Sequence, residues 1–308
     1  MTAFLLNSQK SFNVYGQVNY TIPGDYTWTV PDGVYSISFV AVGAGGRGFS
    51  SQLPSYAYGK GGGGGGLIYY NSLSVTPGST LQLTVGAPPS ANYNYTSPGG
   101  QFQRIGNTVI LDPNSNYYIA QAGQTYSNQI STSGTASGGY GSGPAGTVIR
   151  RGGDGGTFSS SVGGSTWYGA GGGAAAGYSA NGGSGGSISV ASVGTVYFTA
   201  GAGGNGGSGG GGGPRSTGSL IAGFGGGVGI YGQGSSGSGG SVDNTLNGPA
   251  NGYTGSAGSG GVGVLYGGGG SGAGSSTAVG NTSNAGNGAI RIVWGLGRVF
   301  PNTYTTDL

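Results

Sequence analysis

The sequence predicts an all-β protein in which a shell of strands surrounds a packed bundle of glycine-rich extended helices, with no significant α-helix. Three observations predict it. Glycine fills 81 of 308 positions, and much of it falls in x-Gly-Gly repeats. Between the repeats lie short segments rich in β-branched and aromatic residues. Glutamate is absent, and glycine or β-branched residues break every apolar window that would make an amphipathic helix.

The repeat has a period of three. Residues 202–210 read Ala-Gly-Gly-Asn-Gly-Gly-Ser-Gly-Gly, and residues 181–187 read Asn-Gly-Gly-Ser-Gly-Gly-Ser. Residues 151–157 read Arg-Gly-Gly-Asp-Gly-Gly-Thr. The polyproline II helix has three residues per turn and no internal hydrogen bonds. With glycine on two of its three faces, such a helix, here polyglycine II, can pack backbone to backbone, and its main-chain groups bond to neighbouring helices. Glycine loses more conformational entropy on folding than any other residue, so a regular lattice of this kind is needed to keep the chain from disorder. Collagen is excluded, because it carries one glycine per turn with abundant proline, and only 12 prolines occur here.

The strand-like segments come next. Tyr35–Val42 alternates large apolar with small residues, as a half-buried strand does. Residues 67–75 and 81–85 flank Thr76-Pro77-Gly78-Ser79 and read as a hairpin. Residues 109–111 and 117–119 flank the turn Asp112-Pro113-Asn114-Ser115. Residues 187–190 and 195–198 form another hairpin candidate, and 289–294 reads as a closing strand. Four segments result: an N-terminal segment 1–19 for attachment or pairing, a strand-rich part 20–125, a glycine-rich part 126–288 and a C-terminal strand and tail 289–308. Glycine tracts near 43–48 and 59–66 interrupt the strand-rich part, so 20–308 reads as one intertwined body.

Composition excludes much chemistry. Without histidine or cysteine, the usual general base, thiol nucleophiles, disulfides and Cys/His zinc sites are all missing. The acids Asp25, Asp32, Asp112, Asp154, Asp243 and Asp307 are scattered, mostly beside Gly or Pro, as turn residues are. The expectation is no catalytic residue, no metal ligand and no cofactor. The net charge of +3 rests on few groups, and only Arg150 and Arg151 adjoin, whereas nucleic-acid binding requires clustered cations. No stretch is long and apolar enough to span a bilayer, and Met1–Lys10 lacks a signal-peptide pattern. A chain made in a host cytoplasm and released by lysis fits these absences.

The tyrosines are the candidate recognition residues. Tyr56, Tyr58, Tyr93 and Tyr95 lie in short polar stretches read as loops beside strand ends, and Trp167-Tyr168 interrupts the glycine-rich part. Tyr and Trp offer large rigid contact area with a polar tip, which suits binding loops. The competing role is mortar packed over glycine backbones.

Two stretches carry a resemblance. Tyr26-Thr27-Trp28-Thr29-Val30-Pro31-Asp32-Gly33-Val34, the strand after it and Gly43-Ala44-Gly45-Gly46 resemble the opening of glycine-rich domains in phage structural proteins, and Val75-Thr76-Pro77-Gly78 continues the pattern. Residues 288–303, Gly-Ala-Ile-Arg-Ile-Val-Trp-Gly-Leu-Gly-Arg-Val-Phe-Pro-Asn-Thr, are similar to C-termini of tail and fibre proteins of cyanophage-like myoviruses. The group is similar in turn to fibre-tip adhesins of T-even-like phages, built on polyglycine II bundles. The resemblance implies a virion tail-fibre or adhesin role. The partners would be other fibre or tail proteins and a host surface glycan or outer-membrane protein, with the chain a homotrimer or a single copy on a trimeric fibre. The N-terminal attachment region of those adhesins is not recognisable here. A decoration, neck or baseplate protein without its own receptor, an ice-binding protein and a glycan depolymerase are the alternatives.

Overall fold

The computed structural model describes residues 14–53, 56–89, 106–125, 135–160, 167–192, 195–206, 208–209, 211, 215–216, 222–239, 266–270, 280–283 and 285–302. Among them every regular element is a strand. The first nine are β1 (Gly16–Tyr20), β2 (Gly24–Thr29), β3 (Ser36–Val42), β4 (Gly48–Leu53), β5 (Tyr56–Lys60), β6 (Leu67–Ser74), β7 (Thr80–Val85), β8 (Thr108–Leu111) and β9 (Tyr117–Ala120). Then come β10 (Gly141–Ser142), β11 (Val148–Arg150), β12 (Phe158–Ser160), β13 (Trp167–Gly169) and β14 (Ile188–Ser192). The last are β15 (Thr195–Phe198), β16 (Arg215–Ser216), β17 (Gly280–Ser283) and β18 (Ala289–Trp294).

Two five-stranded sheets face each other. Their orders are β1-β18-β3-β6-β11 and β10-β9-β8-β7-β2, and both are open. Trp28, Ile37, Phe39, Ile68, Leu81, Leu83, Ile110, Tyr118, Ile290 and Ile292 fill the space between them. The C-terminal strand β18 is not an edge. It inserts between β1 and β3, antiparallel to both.

The alternation in Tyr35–Val42 predicts one solvated face, yet Ile37 to Val42 are all buried. Ile37, Phe39 and Ala41 enter the sandwich core. Val40 and Val42 pack on the opposite face against Ala175, Ala176, Tyr178, Val228 and Ile230. Segments from the glycine-rich part therefore cover the outer face of the first sheet.

The hairpin expected across 76–79 does not form. β6 and β7 belong to different sheets. The turn is tied to another strand end instead: Gly78 donates to Val30 O (2.9 Å) and Val30 to Ser79 O (2.9 Å). Gly78, at φ +79°, lets the chain arch from one sheet to the other. The other two expected hairpins, β8–β9 and β14–β15, pair antiparallel. Asp112 holds the first of them, accepting from the backbone N–H groups of Asn114 and Asn116 at 2.9 Å each.

Strands leave the sandwich as glycine tracts without a turn. β3 runs into 43–46, β9 into 121–124 and β11 into 151–157, while 61–66 feeds β6 and 285–288 feeds β18. At their far ends the tracts meet two further sheets, ordered β16-β13-β5-β4-β17 and β12-β14-β15.

The tracts bond to one another with a period of three. Gly61 and Gly64 donate to Gly156 and Gly153, Gly62 and Gly65 to Gly270 and Gly267, and Gly63 and Gly66 to Gln124 and Gln121. The carbonyls along the same tract accept from Gly173 and Ala176, from Gly46 and Gly43, and from Gly139. This one segment therefore has three tracts on its donor side and three more on its acceptor side. These bonds also cross position 125/126, where the strand-rich and glycine-rich parts were separated by composition.

Burial follows the repeat. In 151–157, Gly152, Gly153, Gly155 and Gly156 are buried while Arg151, Asp154 and Thr157 are only partly covered. The six consecutive glycines 61–66 are all buried, since neighbours surround the tract and no position is left for a side chain. The repeat at 202–210 is not one straight tract. Gly206 has φ +58°, and Ser208 donates to Asn205 O (3.0 Å), so the chain turns there.

Candidate functional site

The aromatic candidates sort into three groups. Tyr56 and Tyr58, expected on a loop, lie on strand β5, which pairs antiparallel with β4. The strand Tyr-Ala-Tyr-Gly-Lys has aromatics but no β-branched residue, and Pro54 just before it reads as a turn former. β5 also pairs parallel with β13, in the register Trp167↔Ala57 and Tyr168↔Tyr58. Residues 56–59 and 167–168, more than a hundred positions apart, thus share one sheet at the far end of the glycine tracts. Tyr93 and Tyr95 lie outside the described residues.

Tyr168 is a packing residue. It is buried and stacks on Phe158, with ring centroids 5.5 Å apart and planes at 24°. Ile188 and Val190 complete this small core. Its hydrophobic neighbours lie on β12 and β14, beyond glycine-rich stretches on either side, so in sequence Trp167-Tyr168 reads only as an interruption of the glycine-rich part.

Three of the described acids, Asp25, Asp112 and Asp154, hold backbone or neighbouring side chains. Asp25 accepts from Thr84 Oγ1 at 2.7 Å. Asp154 accepts from Gly138 N at 2.8 Å and pairs with Arg151. Asp112 serves its turn, as above. Among the described residues no three Asp side chains come together as a metal-binding group.

The opposite pole of the sandwich has its own exposed apolar residues. Register places Tyr15, Tyr35 and Leu296 at the ends of β1, β3 and β18 away from the tracts, and they are 49%, 69% and 79% exposed.

Two buried cations of the C-terminal segment escaped the sequence reading. Arg291, on β18, is fully buried, donates through Nε to Gln17 Oε1 (3.0 Å) and lies 4.7 Å from the centre of the Tyr231 ring. Arg298 donates to Gly16 O at 2.6 Å and reaches the same Gln17. Both fasten the C-terminal segment to β1. Nearby, Phe300 stacks on the fully buried Tyr178 (6.0 Å, 12°), and its main chain bonds to Asn71 at both N–H and C=O. Tyr178 donates to Gly229 O at 3.0 Å, and burial pushes its hydroxyl pKa upward. Nothing local in residues 289–302 signals these contacts, because their partners Gln17, Asn71 and Tyr178 lie far away in the chain.

A family model described as a glycine-rich domain matches residues 21–241. The chain belongs to that family. The matched span takes in β2 to β16 and most of the tracts, and ends before β17 and β18. No curated protein matches the chain. Within this glycine-rich domain the tracts set the architecture, and β4, β5, β13 and β16 join at their far end in one sheet.

Proposed function

We propose that this glycine-rich domain protein is a non-enzymatic virion structural protein, a tail-fibre or adhesin component that contacts the host cell surface through the end carrying β4, β5 and β13. The observation that supports this reading best is the continuity of strand and tract. Glycine tracts held to as many as six neighbours would form packed polyglycine II helices, a stiff spacer with few side chains to recognise anything. Recognition then falls to what the spacer presents. At one end stands the sandwich, where exposed Tyr15, Tyr35 and Leu296 suit attachment to other virion proteins. At the other end stand the strands that bring Tyr56, Tyr58 and Trp167 into one sheet. Aromatic groups suit either sugar rings or apolar protein patches.

The test is location and competition. Antibody raised against the purified chain should label the distal ends of fibres on imaged virions, and the purified chain should slow virion adsorption to host cells. Labelling of the head, neck or baseplate with no effect on adsorption would instead establish a decoration or structural role.

A further inference from the structure

Every open sheet has two edges, and an exposed edge is a template for another chain unless it is guarded. Most edges here are guarded. The β1 edge is covered where Arg298 binds the Gly16 carbonyl. β2 carries Asp25 and β11 carries Arg150. β10 and β16 are two residues long, β12 is three, and β17 pairs with an irregular register.

β15 differs. It is the last strand of the order β12-β14-β15, its sequence Thr-Val-Tyr-Phe has no charge, proline or glycine, and the irregularity in its pairing falls on β14, between Val190 and Ser192, beyond the Val196 to Phe198 stretch. Its hydrogen-bond parity is fixed by the pair beyond its end. Ser187 and Thr199 exchange both main-chain bonds, at 3.0 and 2.8 Å. In an antiparallel pair bonded and non-bonded positions alternate. The register Ile188↔Phe198, Ser189↔Tyr197 and Val190↔Val196 therefore turns Tyr197 toward β14. The N–H and C=O groups of Val196 and Phe198 point away from β14, and among the described residues no strand lies beyond them.

We propose that this edge pairs with the same edge of a second copy, antiparallel about a two-fold axis through Phe198. The pattern is self-complementary. With Phe198 opposite its own counterpart, Val196 meets Ala200 of the other copy, and all three positions present outward donors and acceptors. Val196 and Phe198, half-buried against the core of Phe158, Tyr168, Ile188 and Val190, extend that core across the seam. Residues 195–200, which form this edge, carry no charge. Two three-stranded sheets become one of six strands, and this pairing, being isologous, stops at two copies. A seam of one short strand per copy is small, so the association is weak and shows at high concentration or where copies are held together.

The test is sedimentation of the purified full chain over a concentration series reaching hundreds of micromolar. The mass should rise from one chain to two and no further. Tyr197→Lys, at a 62% exposed side chain, should weaken the dimer by about tenfold or more, since it places like charges near each other across the seam. Tyr117→Lys, the same change at a 41% exposed tyrosine in another sheet, should leave it unchanged. Phe198→Pro removes one outward N–H and no ladder bond, and should abolish the dimer if the far-ultraviolet spectrum stays native. A single chain at every concentration, a dimer indifferent to Tyr197→Lys, or growth beyond two copies would each overturn the proposal. None of these would bear on the adhesin reading, which adsorption tests separately.

Discussion

Adding one methyl group at Gly64 should be among the most damaging single changes in this protein, and adding one at Gly203 should be harmless. A β-carbon at Gly64 would sit 2.8 Å from the nitrogen of Ala175 and closer still to the carbonyl of Ala174. Both are backbone, so no side-chain rotation relieves the clash. The tract must move, and it is tied on both sides. Gly64 donates to Gly153 O (2.8 Å) and accepts from Gly139 N (2.7 Å), while the struck Ala174 carbonyl accepts from Gly153 N (2.8 Å). Each bond lost with its groups left buried costs about 1–3 kcal/mol. Two or three such losses make Gly64→Ala destabilising by about 4–6 kcal/mol, against a total stability on the order of 5–15 kcal/mol. At Gly203 the nearest atoms stand 3.8 Å away, an ordinary contact, and the backbone is not left-handed. Gly203→Ala should range from neutral to about 1 kcal/mol stabilising, through the less flexible unfolded chain. Urea unfolding of both variants, followed by circular dichroism, measures the difference. Equal midpoints would refute the claim that glycine is required here by backbone-to-backbone packing.

Other outcomes follow from the same structure. Gly185→Val should prevent accumulation of soluble folded protein, because its β-carbon meets Gly171 and lies 2.7 Å from Gly156 N, whereas Asn205→Ser, at an exposed position, should be mild. Trp294→Ala should lower stability by about 2–4 kcal/mol, less than for a fully buried tryptophan, since the ring is partly exposed where it packs on Trp28 (5.5 Å); thermal melting would show it, and an unchanged melting temperature would contradict the packing. Tyr178 and Tyr118 have hydroxyl pKa values raised chiefly by burial, so their neutral forms favour the fold. Their contribution is complete below the unfolded value of about 10 and is lost as pH rises above it; Tyr178→Phe should flatten the alkaline fall in stability measured by urea titration. Virions carrying Tyr56→Ala with Tyr58→Ala should adsorb more slowly while still incorporating the protein, and wild-type adsorption would remove β5 from the contact surface.

Much of the fold could be read from residue order. Strand segments around 36–42, 80–85, 108–111, 117–120 and 289–294 announce themselves by β-branched and aromatic residues between turn formers. Pairing was harder. Thr76-Pro77-Gly78-Ser79 looks the same in a hairpin and in an arch between sheets, because the partner that decides, Val30, lies far away in the chain. Polarity could not reveal that β3 is buried on both faces, since the cover over Val40 and Val42 comes from residues 175–178 and 228–230. The candidate site was legible only as a set of aromatics. Residues 167–168 and 56–58 share a sheet through a parallel pairing that leaves no local trace, and Tyr168 is claimed by a core assembled from β12, β13 and β14.

The tracts lie side by side and bond sideways, and that arrangement bears on how the molecule carries load. A pull between the sandwich and the far sheets runs along the tracts, so each crosswise bond of 61–66 with its neighbours is sheared together with the rest instead of being peeled open one at a time. The described residues nearest the chain ends, Val14 and Asn302, belong to the sandwich side, so a load between the distal sheets and these segments passes through this bonded mass. Rupture would require many short bonds to fail at once, which gives a chain almost without charges and wholly without disulfides a tensile member made of backbone alone.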